Sequence, residues 1–335
     1  MMLLALIATL SLPVLPPTHS AHSDTLPTNV GFAKVAMPYG TDTLITVGIW
    51  YPTDAPAKRE ALGGWTQLVA TDAPATAGPH PLVVISHGSG GWFAGHYDTA
   101  LALAHAGFVV AALTHPGDNF QDQSRATDMP LRVSAMHRLI DYMLGEWKQH
   151  EVVDAKRVGI FGFSAGGFTA LVSSGGVPDF GAFAPHCREH PQNADCMIVA
   201  AAGIDLDAIA TRFPPSVWER DPRIRAAVVA APGLGFTFLP DGLSQVTIPV
   251  QLWRAADDTV LPYPEYADAA RRALPKPPEY HVAPNAGHYD FLAPCDSAMA
   301  ADLPEICISA PGFDRGKFHE EFDRDVVAFF RKNLE

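Results

Sequence analysis

The feature that most constrains the fold is an alternation, from residue 82 onward, of short apolar segments with segments of helical periodicity. A strand that is buried on both faces is expected to be continuously apolar. Alternating strands and helices are typical of right-handed crossovers, so the sequence predicts an α/β fold with a mostly parallel central sheet flanked by helices. The predicted strands are 82–86, 108–114, 158–161, 226–230, 250–253 and 280–282, with 30–36 and 44–51 as further strands, antiparallel at one edge.

Helices are predicted where apolar side chains recur every three or four positions. One such stripe lies at 136–147, between the second and third predicted strands, and another lies at 318–330, near the C-terminus. The segment between about 175 and 222 breaks this pattern because it is rich in Pro, Gly and Asp. We interpret it as an insertion, which is either a lid or a surface excursion.

The composition limits the classes of partner. The 335 residues include 23 Lys and Arg against 36 Asp and Glu, which gives a formal net charge of −13, and there is no basic tract. This balance disfavours nucleic acids and anionic membrane surfaces as partners. No apolar run reaches the roughly 20 residues of a membrane-spanning helix, so stable membrane insertion is not expected.

The N-terminus is typical of a secretory signal. Residues 1–15 are mostly apolar, and Pro, polar and small residues follow up to Ser23. The positive charge that usually begins such a signal is missing, since no Lys or Arg precedes Lys34. The alternative is an apolar N-terminus on a cytosolic protein. We predict a signal peptide at 1–23 and export to the periplasm or the medium.

Four cysteines favour the same compartment. Cys187 and Cys196 form one sequence-local pair, and Cys295 and Cys307 form another. Two local disulfides are our hypothesis, although four cysteines allow three connectivities. A metal site that combines His186, Cys187, His190 and Cys196 is an alternative, but its spacing matches no standard zinc pattern. We therefore predict no metal.

The segment 162–167 (GFSAGG) predicts a nucleophile. It follows the strand at 158–161 and precedes a helical stretch at 168–172, which is the strand–turn–helix context that a G-x-S-x-G motif requires. Glycines at 162 and 166 permit the sharp turn that pushes the hydroxyl of Ser164 outward. The helix N-terminus behind Ser164 favours developing negative charge.

A second glycine-rich segment, 87–91 (HGSGG), follows the strand at 82–86 and predicts an oxyanion hole. Two backbone N–H groups suffice for this role, and we assign them to Ser89 and to Ala165, the residue after the nucleophile. A phosphate-binding loop is disfavoured because the Gly-Lys-Ser/Thr sequence is absent. We expect His87 to brace the loop rather than to act as a base.

The acid and the base are assigned by chain order, which in this architecture runs Ser, Asp or Glu, His. Asp258 follows the strand at 250–253, with Asp257 as the alternative, and His288 follows the last predicted strand. His288 would take the proton of Ser164, and Asp258 would fix the tautomer of His288. His115 also ends a strand, but it precedes Ser164, so we interpret it as structural or pocket-lining.

Together these segments resemble the α/β-hydrolase superfamily over roughly residues 30–334. Within it, the chain resembles the predicted dienelactone hydrolases of bacterial exported proteins and the platelet-activating-factor acetylhydrolases. The matching pieces are 49–52 (IWYP), 86–88 (SHG), 115–118 (HPGD), 162–167 (GFSAGG) and 287–291 (GHYDF). True dienelactone hydrolases have Cys where this chain has Ser164, which puts dienelactone in doubt as a substrate.

The resemblance implies hydrolysis of carboxylic esters through an acyl-enzyme without a cofactor, on a small-molecule or lipid-like substrate. It also implies one domain at 24–335, in which the insertion takes the place of a second domain. The alternatives are amide or peptide hydrolysis by the same triad, and a non-catalytic binding protein on a hydrolase scaffold. Trp92 and Phe93 suggest an apolar acyl or alcohol site, with simple packing in the core as the alternative.

Overall fold

The computed structural model describes residues 29–62 and 65–335. The predicted signal peptide lies outside the described residues. Within them, no helix combines the length and the apolar character that crossing a membrane requires.

Ten strands of the described residues form one sheet, in the order β10-β9-β8-β7-β5-β6-β2-β1-β4-β3. All the strands from β5 to β10 run parallel to their neighbours within that half of the sheet, which confirms the mostly parallel sheet. The strands are β1 (Asn29–Tyr39), β2 (Thr43–Thr53), β3 (Lys58–Leu62), β4 (Trp65–Thr71), β5 (His80–Ser86), β6 (Val109–Leu113), β7 (Val153–Phe163), β8 (Ile224–Ala230), β9 (Val250–Ala255) and β10 (Glu279–Ala283).

The N-terminal strands differ from the prediction. β1 and β2 are antiparallel to each other, as expected, but they do not form the edge, because β4 pairs with β1 and β3 pairs with β4. β4 alternates buried and exposed residues at its start, with Trp65 and Gln67 facing inward. The side chain of Gln67 accepts a hydrogen bond of 2.9 Å from Nε1 of Trp50, which links β4 to β2 across β1.

Helices cover both faces of the sheet. α2 and α3 bury their apolar residues against one face, and α1 and α10 against the other. The helices are α1 (Tyr97–His105), α2 (Met129–Gly145), α3 (Ala165–Ser173), α4 (Phe183–Glu189), α5 (Ala194–Ala201), α6 (Leu206–Arg212), α7 (Ala267–Ala273), α8 (Ser297–Asp302), α9 (Pro304–Cys307) and α10 (Arg315–Leu334).

The topology gathers the candidate residues at one edge of the sheet. Ser89, Ser164, Asp258 and His288 follow the carboxyl ends of β5, β7, β9 and β10, respectively. These ends meet because the strands are parallel, and such an edge is where open α/β sheets place their sites. The helices α4, α5 and α6 of the 175–222 segment lie between α3 and β8 in the chain and wall the cavity at this edge.

Candidate active site

Ser164 occupies a strained turn between β7 and α3. Its backbone has φ 55° and ψ −122°, a conformation that costs energy for any residue with a side chain. The turn is possible because its flanks are glycines: a Cβ on Gly162 would lie 2.0 Å from the carbonyl oxygen of Gly166, and one on Gly166 would lie 1.9 Å from that of Ser86. The sequence therefore folds here into the turn that the G-x-S-x-G pattern predicts.

A continuous series of hydrogen bonds links the three residues that the sequence singled out. The Oγ of Ser164 lies 3.0 Å from Nε2 of His288, and Nδ1 of His288 lies 2.8 Å from Oδ2 of Asp258. The side chains of His288 and Asp258 are only 2% and 6% exposed. Such a series can hold the imidazole with Nδ1 protonated and Nε2 free to accept the proton of a hydroxyl.

The loop after β9 places the side chains of the two neighbouring aspartates differently. The Oδ1 of Asp258 accepts hydrogen bonds from the backbone N–H groups of Val260, at 3.0 Å, and Leu261, at 2.7 Å. These two donors fix the carboxylate so that Oδ2 faces His288. Asp257 is exposed, and its backbone N–H bonds to the carbonyl of Ala286. The structure thus brings Asp258, and not Asp257, to the histidine.

Asp290 holds the segment that contains His288, a role that the sequence reasoning missed. Its carboxylate accepts a 2.7 Å hydrogen bond from the backbone N–H of Gly287 and forms a 2.9 Å ion pair with Arg315. Its backbone carbonyl lies 2.8 Å from Nε2 of His319. The only signal was its place in the GHYDF segment, two positions after the histidine.

The loop after β5 lies against the nucleophile. A Cβ on Gly88 would lie 3.1 Å from the Cβ of Ser164, a tight contact, so glycine at residue 88 favours the close approach of this backbone. Ser89, which is exposed, and Ala165, the first residue of α3, both line the cavity over Ser164. The two residues predicted as oxyanion donors therefore lie around one cavity.

His87 and His115 form a buried pair beneath that loop. The Nε2 of His87 accepts a 3.0 Å hydrogen bond from the backbone N–H of His115, and Nε2 of His115 lies 2.8 Å from Oγ of Ser86. Burial, together with the charge of Arg132, lowers the pKa of His87 to about 3 and that of His115 well below its usual value. Both rings are neutral braces, which agrees with the structural interpretation of each.

The cavity above Ser164 has a volume of about 740 Å³ and predominantly apolar walls. One wall comes from the 175–222 segment and includes Phe180, Phe183 and Ile198; another comes from α8 and α9. Of the two predicted aromatics, Trp92 lines the cavity, whereas Phe93 packs in the core against Trp50. This size and lining are typical of a site for an apolar small molecule.

The four cysteines form the two local pairs that the sequence suggested. Cys187 of α4 bonds to Cys196 of α5, and Cys295 bonds to Cys307 of α9. The first pair thus joins two short helices rather than closing an irregular loop. With both thiols in a disulfide, Cys187 and Cys196 are not metal ligands in this structure.

Comparisons with known proteins agree with this architecture. Residues 68–204 match the model of the dienelactone hydrolase family. Among solved structures, a ferulic acid esterase from Streptomyces cinnamoneus is similar, with a TM-score of 0.62 and 20% identity over 94% of this chain and 92% of that one. A dienelactone hydrolase from Anabaena variabilis has a TM-score of 0.50 and 16% identity, over 91% of this chain and 98% of that one. No curated protein matches the chain.

Proposed function

We propose that this chain, an α/β-hydrolase of the dienelactone hydrolase-like group, is a serine hydrolase that cleaves carboxylic esters of apolar character. The observation that carries the proposal is the hydrogen-bonded series Ser164–His288–Asp258, which begins on a strained turn and opens into an apolar cavity. The side chains of His288 and Asp258 are buried away from bulk water, which strengthens the electrostatic interactions on which such a series depends.

The proposed reaction has two halves, and the first half forms an acyl-enzyme. Oγ of Ser164 attacks the ester carbonyl carbon while Nε2 of His288 takes the hydroxyl proton, and the carboxylate of Asp258 stabilises the imidazolium. The carbonyl oxygen becomes an oxyanion that accepts hydrogen bonds from the backbone N–H groups of Ser89 and Ala165, each worth about 3–4 kcal/mol at the transition state. Collapse breaks the bond to the alcohol, which takes the proton from His288.

The second half releases the acid. A water molecule gives its proton to His288 and attacks the acyl group on Ser164, and the same N–H groups stabilise the second oxyanion. When this intermediate collapses, Oγ of Ser164 leaves with the proton from His288. The products are a carboxylic acid and an alcohol, and the side chains return to their starting protonation states.

The test is a comparison of Ser164→Ala with Ser174→Ala, a matched control at the C-terminal end of α3 whose hydroxyl bonds to the carbonyl of Ala170. We expect Ser164→Ala to lose hydrolysis of p-nitrophenyl acetate and labelling by a fluorophosphonate probe, while Ser174→Ala keeps both. Unchanged turnover or labelling in Ser164→Ala would refute the assignment. Matched p-nitrophenyl esters and p-nitroanilides separate ester from amide preference, and the name of the esterase neighbour is the reason to expect esters to be faster.

We also propose that the protein is exported. The two disulfides support an oxidising compartment, because thiols stay reduced in the cytosol. N-terminal sequencing of the mature protein from the periplasm or medium tests this, with a start near residue 24 expected. Full-length protein found only in the cytosol would contradict it.

A further inference from the structure

A buried ion pair lies directly beneath the loop that carries Ser89. The side chains of Arg132, on α2, and Asp118, after β6, are 2% and 1% exposed, and Nη1 of Arg132 lies 2.5 Å from Oδ2 of Asp118. Buried pairs of this kind seldom add net stability, because desolvation of two charges offsets their attraction. The other hydrogen bonds of these two side chains therefore indicate a role other than stabilising the fold.

The free oxygen of Asp118 holds the loop. Oδ1 accepts hydrogen bonds from the hydroxyl of Ser89, at 2.7 Å, and from the backbone N–H of Gly90, at 2.9 Å. Burial raises the pKa of Asp118, but the charge of Arg132 and these two bonds outweigh it and keep the pKa below its usual value. Asp118 thus stays ionised and accepts from both donors.

The guanidinium of Arg132 reaches both sides of the nucleophile. Its Nη2 donates to the backbone carbonyl of His87, and its Nε donates to Oγ1 of Thr169 at 3.3 Å. The hydroxyl of Thr169 in turn donates to the carbonyl of Ala165 at 2.9 Å. One planar cation therefore connects the loop after β5 to the first turn of α3.

We propose that Arg132 and Asp118 are positioning residues that set the spacing between the backbone N–H groups of Ser89 and Ala165. The inference rests on the proposed function, in which these two groups bind the oxyanion. Donors must lie about 2.7–3.1 Å from the oxyanion, and a displacement of about 1 Å costs roughly 100-fold in rate. From Gly88 to Gly90 the loop has a single side chain, that of exposed Ser89, so the ion pair beneath it supplies the rigidity.

The test uses variants that alter the support but keep the backbone donors. Ser89→Ala removes only the hydroxyl that reaches Asp118, and Ser89→Thr restores a hydroxyl. Asp118→Asn removes the charge. Asp221→Asn is the matched control, since the carboxylate of Asp221 is 3% exposed and pairs with Arg223 at 2.6 Å. Its backbone N–H donates to the carbonyl of Ser173 at the end of α3, away from the loop that carries Ser89. Each variant is assayed for kcat and KM with p-nitrophenyl acetate, for Ki of a trifluoromethyl ketone, and for Tm.

We expect Ser89→Ala and Asp118→Asn to lower kcat about 10–100-fold, with little change in KM, and to raise Ki of the ketone by the same factor. The ketone reports on the oxyanion site because its adduct with Ser164 carries that charge. Ser89→Thr should recover most of the loss, and Asp221→Asn should change Tm alone. If Asp118→Asn does not fold, Ser89→Ala and Ser89→Thr decide the outcome.

The proposal is overturned if folded Ser89→Ala keeps wild-type kcat, or if kcat falls while Ki of the ketone stays constant. Either result would make the ion pair a structural element alone. Failure of the proposed function is a separate result: Ser164→Ala would then retain activity, or wild-type protein would fail to react with the probe, whatever the variants of the support do.

Discussion

Replacing Asp258 by Asn removes one charge while conserving shape, and the structure dictates how the new side chain must sit. The backbone N–H groups of Val260 and Leu261 both donate to one oxygen of residue 258. The amide of Asn must direct its oxygen to these donors, because its NH₂ group cannot accept from them. Its NH₂ group then faces Nδ1 of His288, at the position where Oδ2 of Asp258 lies 2.8 Å away.

This arrangement forces the wrong tautomer on the histidine. Nδ1 must accept from the NH₂ group, so the proton moves to Nε2, which faces Oγ of Ser164. Nε2 can then no longer accept the proton of the nucleophile. Loss of the correct tautomer in a triad lowers kcat about 10⁴-fold. At about 1.4 kcal/mol per factor of ten, the transition state loses about 5.5 kcal/mol of stabilisation.

The assay is kcat/KM with p-nitrophenyl acetate at neutral pH, beside Tm as a control for folding. Asp257→Asn is the matched control, because Asp257 is exposed and only its backbone reaches the site. We expect Asp258→Asn to fall about 10⁴-fold and Asp257→Asn to stay near wild type. The reasoning is refuted if folded Asp258→Asn stays within tenfold of wild type, or if Asp257→Asn loses as much.

Three other predictions follow from separate features. Gly166→Ala should abolish activity and lower Tm, since its Cβ would lie 1.9 Å from the carbonyl oxygen of Ser86. Gly145→Ala is the control and should be neutral, because its Cβ would meet no atom within 4 Å. Equal Tm values for the two variants would contradict this prediction. In a panel from p-nitrophenyl acetate to palmitate, kcat/KM should rise about fourfold per added CH₂ over the first few carbons, because burial in the apolar cavity gains about 0.8 kcal/mol for each. Ile198→Asp should reduce this dependence on chain length but leave acetate hydrolysis unchanged. Acetate as the best ester would contradict an apolar acyl site. Burial and the charge of Asp98 raise the pKa of Asp323 to about 7, so the folded protein binds the proton more tightly than the unfolded chain between about pH 4 and 7, and stability from this group falls as pH rises through that range. Asp323→Asn should therefore gain in Tm over wild type from pH 4 to pH 8, and a Tm difference independent of pH would exclude this linkage.

Much of this fold could be predicted from local pattern. The central strands are buried on both faces, so they appear in the sequence as continuous apolar runs, and their parallel order follows from the helices between them. Ser164 was identifiable because its backbone strain requires glycines at fixed positions on either side. The approach of Asp258 and His288 to Ser164 could be predicted because each follows a predicted strand in the order that this architecture requires.

Features that depend on pairing across the chain were harder to predict. The strand β4 has polar Gln67 at a buried position. The inward orientation of Gln67 is explained by its hydrogen bond with Trp50. Arg132 offered a clue, since it lies four residues before Met136, on the buried stripe of α2, where an isolated charge is costly. The sequence alone indicates that a buried cation needs an acidic partner, but only the structure identifies that partner as Asp118.

The two disulfides also bear on how new specificities could arise on this scaffold. The loop closed by Cys295 and Cys307 contributes Met299, Leu303 and Ile306 to the cavity, and the loop closed by Cys187 and Cys196 contributes Ala194 and Asp195. Each loop is a short covalent ring whose ends are fixed to each other. The residues between the two cysteines of each loop can therefore be substituted with little effect on the strands of the sheet. These two parts of the cavity wall can thus vary independently of the groups proposed to carry the chemistry, which lie at the edge of the sheet outside both loops.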